Sequence, residues 1–246
     1  MSRQQTTSVD SMAEATRSRA DFSGHGGSKG AAGYQEPGAA TIECDFLDEE
    51  GQSLSVNPAA EGFENISIGL AWDQMIRHEK KLFGLMTVKK VIDVDLDLGC
   101  FYELQDGTRG VLQPFGDQYG SLDSAPFIQL SGDEREGDEE GDDEFILING
   151  LKWPEIKRVL IYVYIYGGVP NWGMLKPQAH VRVPGESPMI VTLHTTRSEL
   201  SLCALAMIEN VRGGLRLTNH TEYFPGHAEM DRAFGFGLDW EDGEKT

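Results

Sequence analysis

Between Asp133 and Glu144 the chain reads DEREGDEEGDDE: nine carboxylates, one arginine and two glycines. Carboxylate oxygens at this density suit a hard cation. Ca2+ takes roughly six to eight oxygens at ~2.3–2.6 Å, whereas Mg2+ keeps several waters and uses only one or two protein carboxylates. Gly132, Gly137 and Gly141 punctuate the run at intervals of five and four, which lets the backbone turn so that carbonyls can join the carboxylates. A second acidic group lies upstream. In VIDVDLDLGCFYEL, Ile92, Val94, Leu96 and Leu98 alternate with Asp93, Asp95 and Asp97. A strand there carries apolar residues on one face and three carboxylates on the other, ~6.6–6.8 Å apart. Exposed, such a row is tolerable; two unit charges about 4 Å apart cost about 1 kcal/mol in bulk water, and about 4 kcal/mol where part-buried, where protons or a cation are needed. The EF-hand pattern does not fit: counted from Asp93, the sixth residue is Leu98 and the twelfth Leu104, in place of Gly and Glu. Composition alone leaves a solvated acidic loop and a cation cage both open, and the glycine spacing leans toward the cage.

The elements that must position these groups read as strands. From about Glu64, NISIGLAWD alternates Ile66, Ile68 and Leu70 with small or polar residues. TRGVLQPFG and PFIQL are shorter strands, and IKRVLIYVYIY is β-branched and aromatic on both faces, suiting a central strand covered from two sides. HVRVP, MIVTLHTT, LSLCALAMIEN, LRLTNHTEYF and AFGFGLDW continue the series. The segment around Cys203 has helical propensity, but its neighbours favour a strand. About ten strands joined by Gly, Pro, Asp and Asn turns, with no convincing amphipathic helix, predict an all-β fold: a two-sheet antiparallel β-sandwich in one domain over 63–242. Residues 1–62, rich in Ser, Gly, Ala, Gln and Thr, are expected to be a disordered extension. ATIECDFLD is the one stretch there that could add a short strand.

Charge limits the partners. The formal net charge is −19, and −11 remains without the twelve-residue acidic run. EKK and VKK are the longest basic clusters, which argues against a nucleic-acid ligand. The longest apolar run, VLIYVYIYGGV, covers eleven residues, against ~20 for a spanning helix. The first residues lack the apolar core of a secretory signal, so a cytoplasmic location is expected. Cys44, Cys100 and Cys203 are odd in number and scattered, and read as reduced structural residues.

DVDLDLGCFYEL followed by SGDEREGDEEGDDEFI resembles the calcium-binding β-sandwich family of tellurium-resistance proteins, the TerD family. Asp95-Leu96-Asp97 matches its Asp-Leu-Asp strand. Gly132, Asp133, Arg135, Gly137, Gly141, Asp142, Asp143 and Glu144 match its acidic loop in spacing. The resemblance covers roughly residues 64–240, and VLQPFG and GHAEMDRAFGFGLDW are closer to the TerA branch. It implies a two-sheet sandwich binding two Ca2+ ions through Asp95, Asp97, Asp133, Glu140, Asp142, Asp143 and Glu144. It also implies a role in tellurite resistance and stress response, as a scaffold among other tellurium-resistance and stress proteins and a membrane-embedded partner. The chain departs from the pattern with Asp138, Glu139 and Glu140 where a further Gly is usual, which bears on the ligand set and the number of ions.

Other chemistries are less well supported by the residues. His220 and His227 lie near Glu229, but no His-Glu-x-x-His helix is present. No partnered nucleophile, Gly-x-Ser-x-Gly or phosphate loop appears, so no catalysis is expected. Trp72, Trp153, Trp172 and Trp240 are scattered as packing residues are, and Arg135 reads as a charge-balancing partner inside the acid run. The alternatives are a Ca2+-dependent membrane-surface adaptor and a metal-dependent hydrolase using the same carboxylates.

Overall fold

The computed structural model describes residues 44–59, 62–73, 75–81, 86–92, 94, 96–114, 116, 118–131, 144–166, 170–196 and 199–240. In chain order the strands begin β1 (Asp45–Leu47), β2 (Ser53–Val56), β3 (Ile66–Ala71), β4 (Met75–Lys81), β5 (Met86–Ile92), β6 (Leu96–Leu104) and β7 (Arg109–Leu112). They continue with β8 (Gly120–Ser121), β9 (Ile128–Leu130), β10 (Phe145–Ile148), β11 (Ile156–Ile165), β12 (Gln178–Arg182), β13 (Met189–Thr192), β14 (Leu202–Val211) and β15 (Gly214–Phe224). Among the described residues, two short helices, α1 (Trp172–Leu175) and α2 (His227–Phe234), and a 3₁₀ turn at Gly150–Glu155 accompany the strands.

The expected all-β sandwich is what forms. One sheet runs β1-β13-β12-β3-β10-β9-β8 and the other β2-β15-β14-β11-β6-β7. Every pairing within them is antiparallel except β1 with β13. The alternation read from the sequence sorts side chains to two faces. Leu96, Leu98 and Cys100 of β6 and Val159, Ile161 and Val163 of β11 enter the core between the sheets, with Ile66, Ile68, Ile146 and Ile148 from the facing sheet. Trp153 and Trp172 are fully buried there, and the Trp172 indole donates to the Leu200 carbonyl at 2.8 Å. Among the described residues, no helix is long and apolar enough to cross a membrane.

Several expectations need correction. The sandwich starts well before residue 63: β1 and β2 are hydrogen-bonded into the two sheets, and Leu47 and Val56 are buried in the core. β1 is the short strand that ATIECDFLD could add, and β2 is too short to show alternation. The strand expected over VIDVDLDLGCFYEL is interrupted. β5 ends at Ile92, β6 begins at Leu96, and Val94 belongs to neither; of the three aspartates Asp97 lies on β6, and Asp93 and Asp95 lie outside the described residues. AFGFGLDW is not a strand either. Its first residues complete α2, which ends at Gly235 with φ 65°, and Gly237 has φ 70°. These left-handed positions, open to glycine at no steric cost, turn the chain out of strand geometry and lay 235–240 across the second sheet. Strands beyond the expected ones are the edge segments β1, β2 and β8, the interior strand β10 between β3 and β9, and the hairpin of β4 with β5, a separate two-stranded sheet.

The outer face of the second sheet is therefore covered. Phe101, Leu160, Tyr162, Leu202, Ala204, Met207 and Phe224 form a second apolar cluster with Met230 and Phe236, and Phe234, Leu238 and Trp240 pack against it. This is the two-sided cover that IKRVLIYVYIY required.

Candidate metal centre

Of the seven carboxylates implied as ligands, Asp97 and Glu144 are among the described residues. Asp95, Asp133, Glu140, Asp142 and Asp143 lie outside them, as does Arg135. The fold brings the two described members to one end of the sandwich from different sheets. Asp97 is the second residue of β6 and lies opposite Tyr164 of β11. Strand β7 pairs with β6 only from Cys100 onward and does not reach Leu96–Gly99. Glu144, immediately before β10, reaches that stretch, and its Oε2 accepts a hydrogen bond from the Leu98 backbone N–H. Its own carbonyl accepts from Leu70 N at 3.2 Å. Glu144 thus clamps the two sheets beside Asp97 and satisfies a ladder donor that β7 leaves unpaired.

The face carrying Asp97 is closely packed. A Cβ at Gly99 would lie 2.3 Å from the Tyr162 ring, so glycine is what lets this ring lie over β6. Burial pushes the Tyr162 phenol well above its ordinary range, and the charges of Cys100 and Asp97 add to the shift. Among the described residues, no three His, Cys, Asp or Glu side chains gather into a set that could hold a metal ion. Asp97 and Glu144 fit Ca2+ by donor type, both offering hard carboxylate oxygens. A complete shell needs further oxygens beyond them.

The histidines separate. His220 meets the Phe234 ring edge-on, with centroids 5.1 Å apart, and lines an open polar depression of about 400 Å3 with the Glu209–Arg216 ion pair. His227 stacks on Trp240 at 5.6 Å and meets Tyr162 at 5.1 Å and Tyr164 at 5.8 Å. Burial lowers both, His227 to about 4. A base whose folded value falls below its ordinary 6.5 binds protons more readily when released. The stability it contributes is complete above pH 6.5, declines as pH falls, and is gone below about 4. We expect the wild-type melting temperature to drop between those pH values by the equivalent of about 2–3 kcal/mol more than that of His227→Phe. Superimposable pH profiles for the two proteins would contradict this assignment.

Cys100 and Cys203 are buried, and burial raises both thiols, Cys100 to about 12. Neither supplies a thiolate near neutral pH.

A feature not anticipated from the sequence lies farther along the same face. Glu103 of β6 is 2% exposed, yet takes three cations: Arg158 Nε at 2.6 Å, Lys157 Nζ at 2.8 Å and Arg109 Nη2 at 3.0 Å. Desolvation pushes its carboxyl upward, but hydrogen bonds from Lys157, Arg158 and Arg109 outweigh that and hold it at about 2. Arg158 continues outward, donating to the Phe234 and Gly235 carbonyls with its guanidinium 4.1 Å from the Phe236 ring centroid. Arg109 donates to the Phe236 carbonyl at 2.6 Å. Cross-strand register supplied the only clue, since Glu103 faces both Arg109 and Arg158.

No family model matches the chain. It is 39% identical over 199 residues, 81% of its length, to the tellurium resistance protein TerA of Alcaligenes sp.. The chain spans 58% of that relative's length. With the two-sheet sandwich, this similarity makes the chain a relative of the tellurium resistance protein TerA.

Proposed function

We propose that the chain is a non-enzymatic Ca2+-binding β-sandwich that acts in tellurium resistance and stress response as a scaffold within a membrane-associated assembly. The observation that carries the calcium reading is the Glu144 clamp. Glu144, the last residue of the acidic run, is fastened to the backbone next to Asp97, so the end of that run and the start of β6 meet at one end of the sandwich. Asp97 and Glu144 would contribute carboxylate oxygens, and Asp95, Asp133, Glu140, Asp142 and Asp143 are the proposed remaining ligands for two ions. Bound Ca2+ would supply positive charge to an otherwise self-repelling cluster. The role in resistance rests on the name of the TerA relative. A non-catalytic reading is supported by the deep burial and raised thiols of Cys100 and Cys203.

Titration calorimetry tests the ion directly. We expect heat on Ca2+ addition and a higher melting temperature. At free Ca2+ a hundredfold above Kd the stabilisation is about 2.7 kcal/mol. Asp97→Asn should weaken both responses while leaving the chelated protein folded. No heat and identical melting curves in Ca2+ and in EGTA would overturn the reading.

A further inference from the structure

We propose that segment 227–240 is an exchangeable strap, and that two copies of the chain dock it reciprocally, each on the other's β6–β11–β14 face. The segment is built as a module. Among the described residues, its backbone hydrogen bonds stay within 226–240: Met230 N donates to the Gly226 carbonyl, and Gly235 N and Phe236 N donate to that of Asp231. The Asp231 carboxylate takes the next donors, Gly237 N, Leu238 N and the Trp240 indole. Edge strands β1 and β2, by contrast, are tied into the sheets by ladder pairing. The strap therefore carries its own caps to whichever face it docks on. That face is a formed receptor. Phe101, Leu160 and Tyr162 lie in one apolar cluster with Met230 and Phe236 of the strap. Arg158 and Arg109 read the far end of α2 through the main-chain carbonyls of Phe234, Gly235 and Phe236. Cations there complement the negative end of a helix. Both guanidiniums are held from the sheet by Glu103, so the body of the protein, and not the strap, positions them. This is the helix-in-groove mode of recognition, and every copy of the chain carries both halves.

The connector decides between docking on the same copy and docking on another. Strand β15 ends at Phe224 and α2 begins at His227, which leaves only Pro225 and Gly226 between them. Proline fixes its own φ at about −65°, and Gly226 is drawn out to φ −171° and ψ 172°, so the connector holds no slack. A short flexible linker presents its segment at an effective concentration of about millimolar, and one too short to span presents it at near zero. A connector already at full stretch sits toward the second limit. Docking on a second copy forms the same contacts and lets the connector run straight on. Exchange of an identical element is a low-cost route to a dimer for that reason. A helix from a different protein would have to reproduce the same carbonyl end and apolar spacing, which a second copy supplies by identity. The inference deepens the scaffold part of the proposed function, on which its meaning in the cell rests, and it needs no ion.

The test is light scattering on the full chain in EGTA, over about a hundredfold range of concentration. Wild type is expected to pass from the monomer mass to twice that mass as concentration rises. Deleting Pro225 and Gly226 should leave the dimer alone, because docking on the same copy is then out of reach. Inserting Gly-Ser-Gly-Ser between them should weaken dimerisation at least about tenfold. Backbone amides at 235–240 should stay protected from hydrogen exchange in all three proteins, since the strap is docked in each. Asp231→Ala, whose strap is released, should be monomeric. Should the deletion prevent folding, the insertion and Asp231→Ala still decide, with melting temperatures establishing that both fold. A wild type monomeric throughout, a dimer indifferent to the insertion, a dimer kept by Asp231→Ala, or loss of protection at 235–240 in the wild-type dimer would each overturn the exchange. A dimer through some other surface leaves the scaffold reading standing, and no outcome alters the calcium titration, so the readings fail separately.

Discussion

Glu103→Ala is expected to cost about 3 kcal/mol of stability, lowering the melting temperature by roughly 6–12 °C. The size follows from burial. Exposed pairs such as Lys152–Glu155 and Glu229–Arg232 are worth ~0–1 kcal/mol. Glu103 is 2% exposed and is the shared acceptor of three cations. Removing a buried partner leaves charges without compensation, at about 3–5 kcal/mol. The lower end applies because Arg109 and Lys157 are 40% and 51% exposed and can turn to water, whereas Arg158 is 20% exposed and held against Phe236. Acid gives an independent check. The Glu103 carboxyl is lowered from 4.5 to about 2. Its contribution is therefore complete above pH 4.5 and is lost as pH falls through 2. Glu103→Gln should lack that part of the wild-type acid slope. A melting temperature within about 2 °C of wild type, with an unchanged slope, would show the hub to be energetically idle.

How far the sequence could be read depended on whether the determinant was local. Alternation in NISIGLAWD gave β3, because inward and outward residues have different chemistry over several positions, and the β-branched and aromatic run of IKRVLIYVYIY gave β11. β1 falls within ATIECDFLD, the one stretch singled out there as a possible strand, whereas β2 was hidden because four residues cannot display a period and only pairing with β15 defines it. The break between β5 and β6 was invisible because Asp-x-Asp-x-Asp satisfies strand alternation even where the chain leaves one sheet for another. At the candidate centre, residue types and glycine spacing pointed to the acidic loop, and the structure adds the Glu144 clamp. That contact joins residues 46 positions apart, and no short-range pattern encodes it. Nothing in the local sequence sets Arg158 and Glu103 apart from surface charges on strands. Only the covering segment 227–240 turned them into a buried anchor.

That covering segment is fixed at its far end by Asp231, and Asp231→Ala should release it. Asp231 is 3% exposed and accepts hydrogen bonds from Gly237 N at 2.7 Å, Leu238 N at 2.9 Å and Trp240 Nε1 at 3.0 Å. Bonds to a charged acceptor are worth ~1.5–3 kcal/mol each. Their joint loss, about 3–4 kcal/mol, exceeds what a short terminal segment ordinarily holds in reserve. The segment can detach without unfolding the sheets, so the response should be chiefly local. Backbone amides at 235–240 should lose hydrogen-exchange protection, and Trp240 emission should shift to the red as it leaves the His227 ring. The exposed face of Phe101, Leu160 and Tyr162 should then bind a hydrophobic dye. Tyr164, which touches His227, lies opposite Asp97, so release of the segment also loosens the strand that carries the candidate ligand. Unchanged exchange at 235–240 in the variant would assign the latch to Arg158 and Arg109 alone. Protection lost there but kept throughout β6 and β11 would show that Asp231 secures the cover and that the sandwich beneath it stands without it.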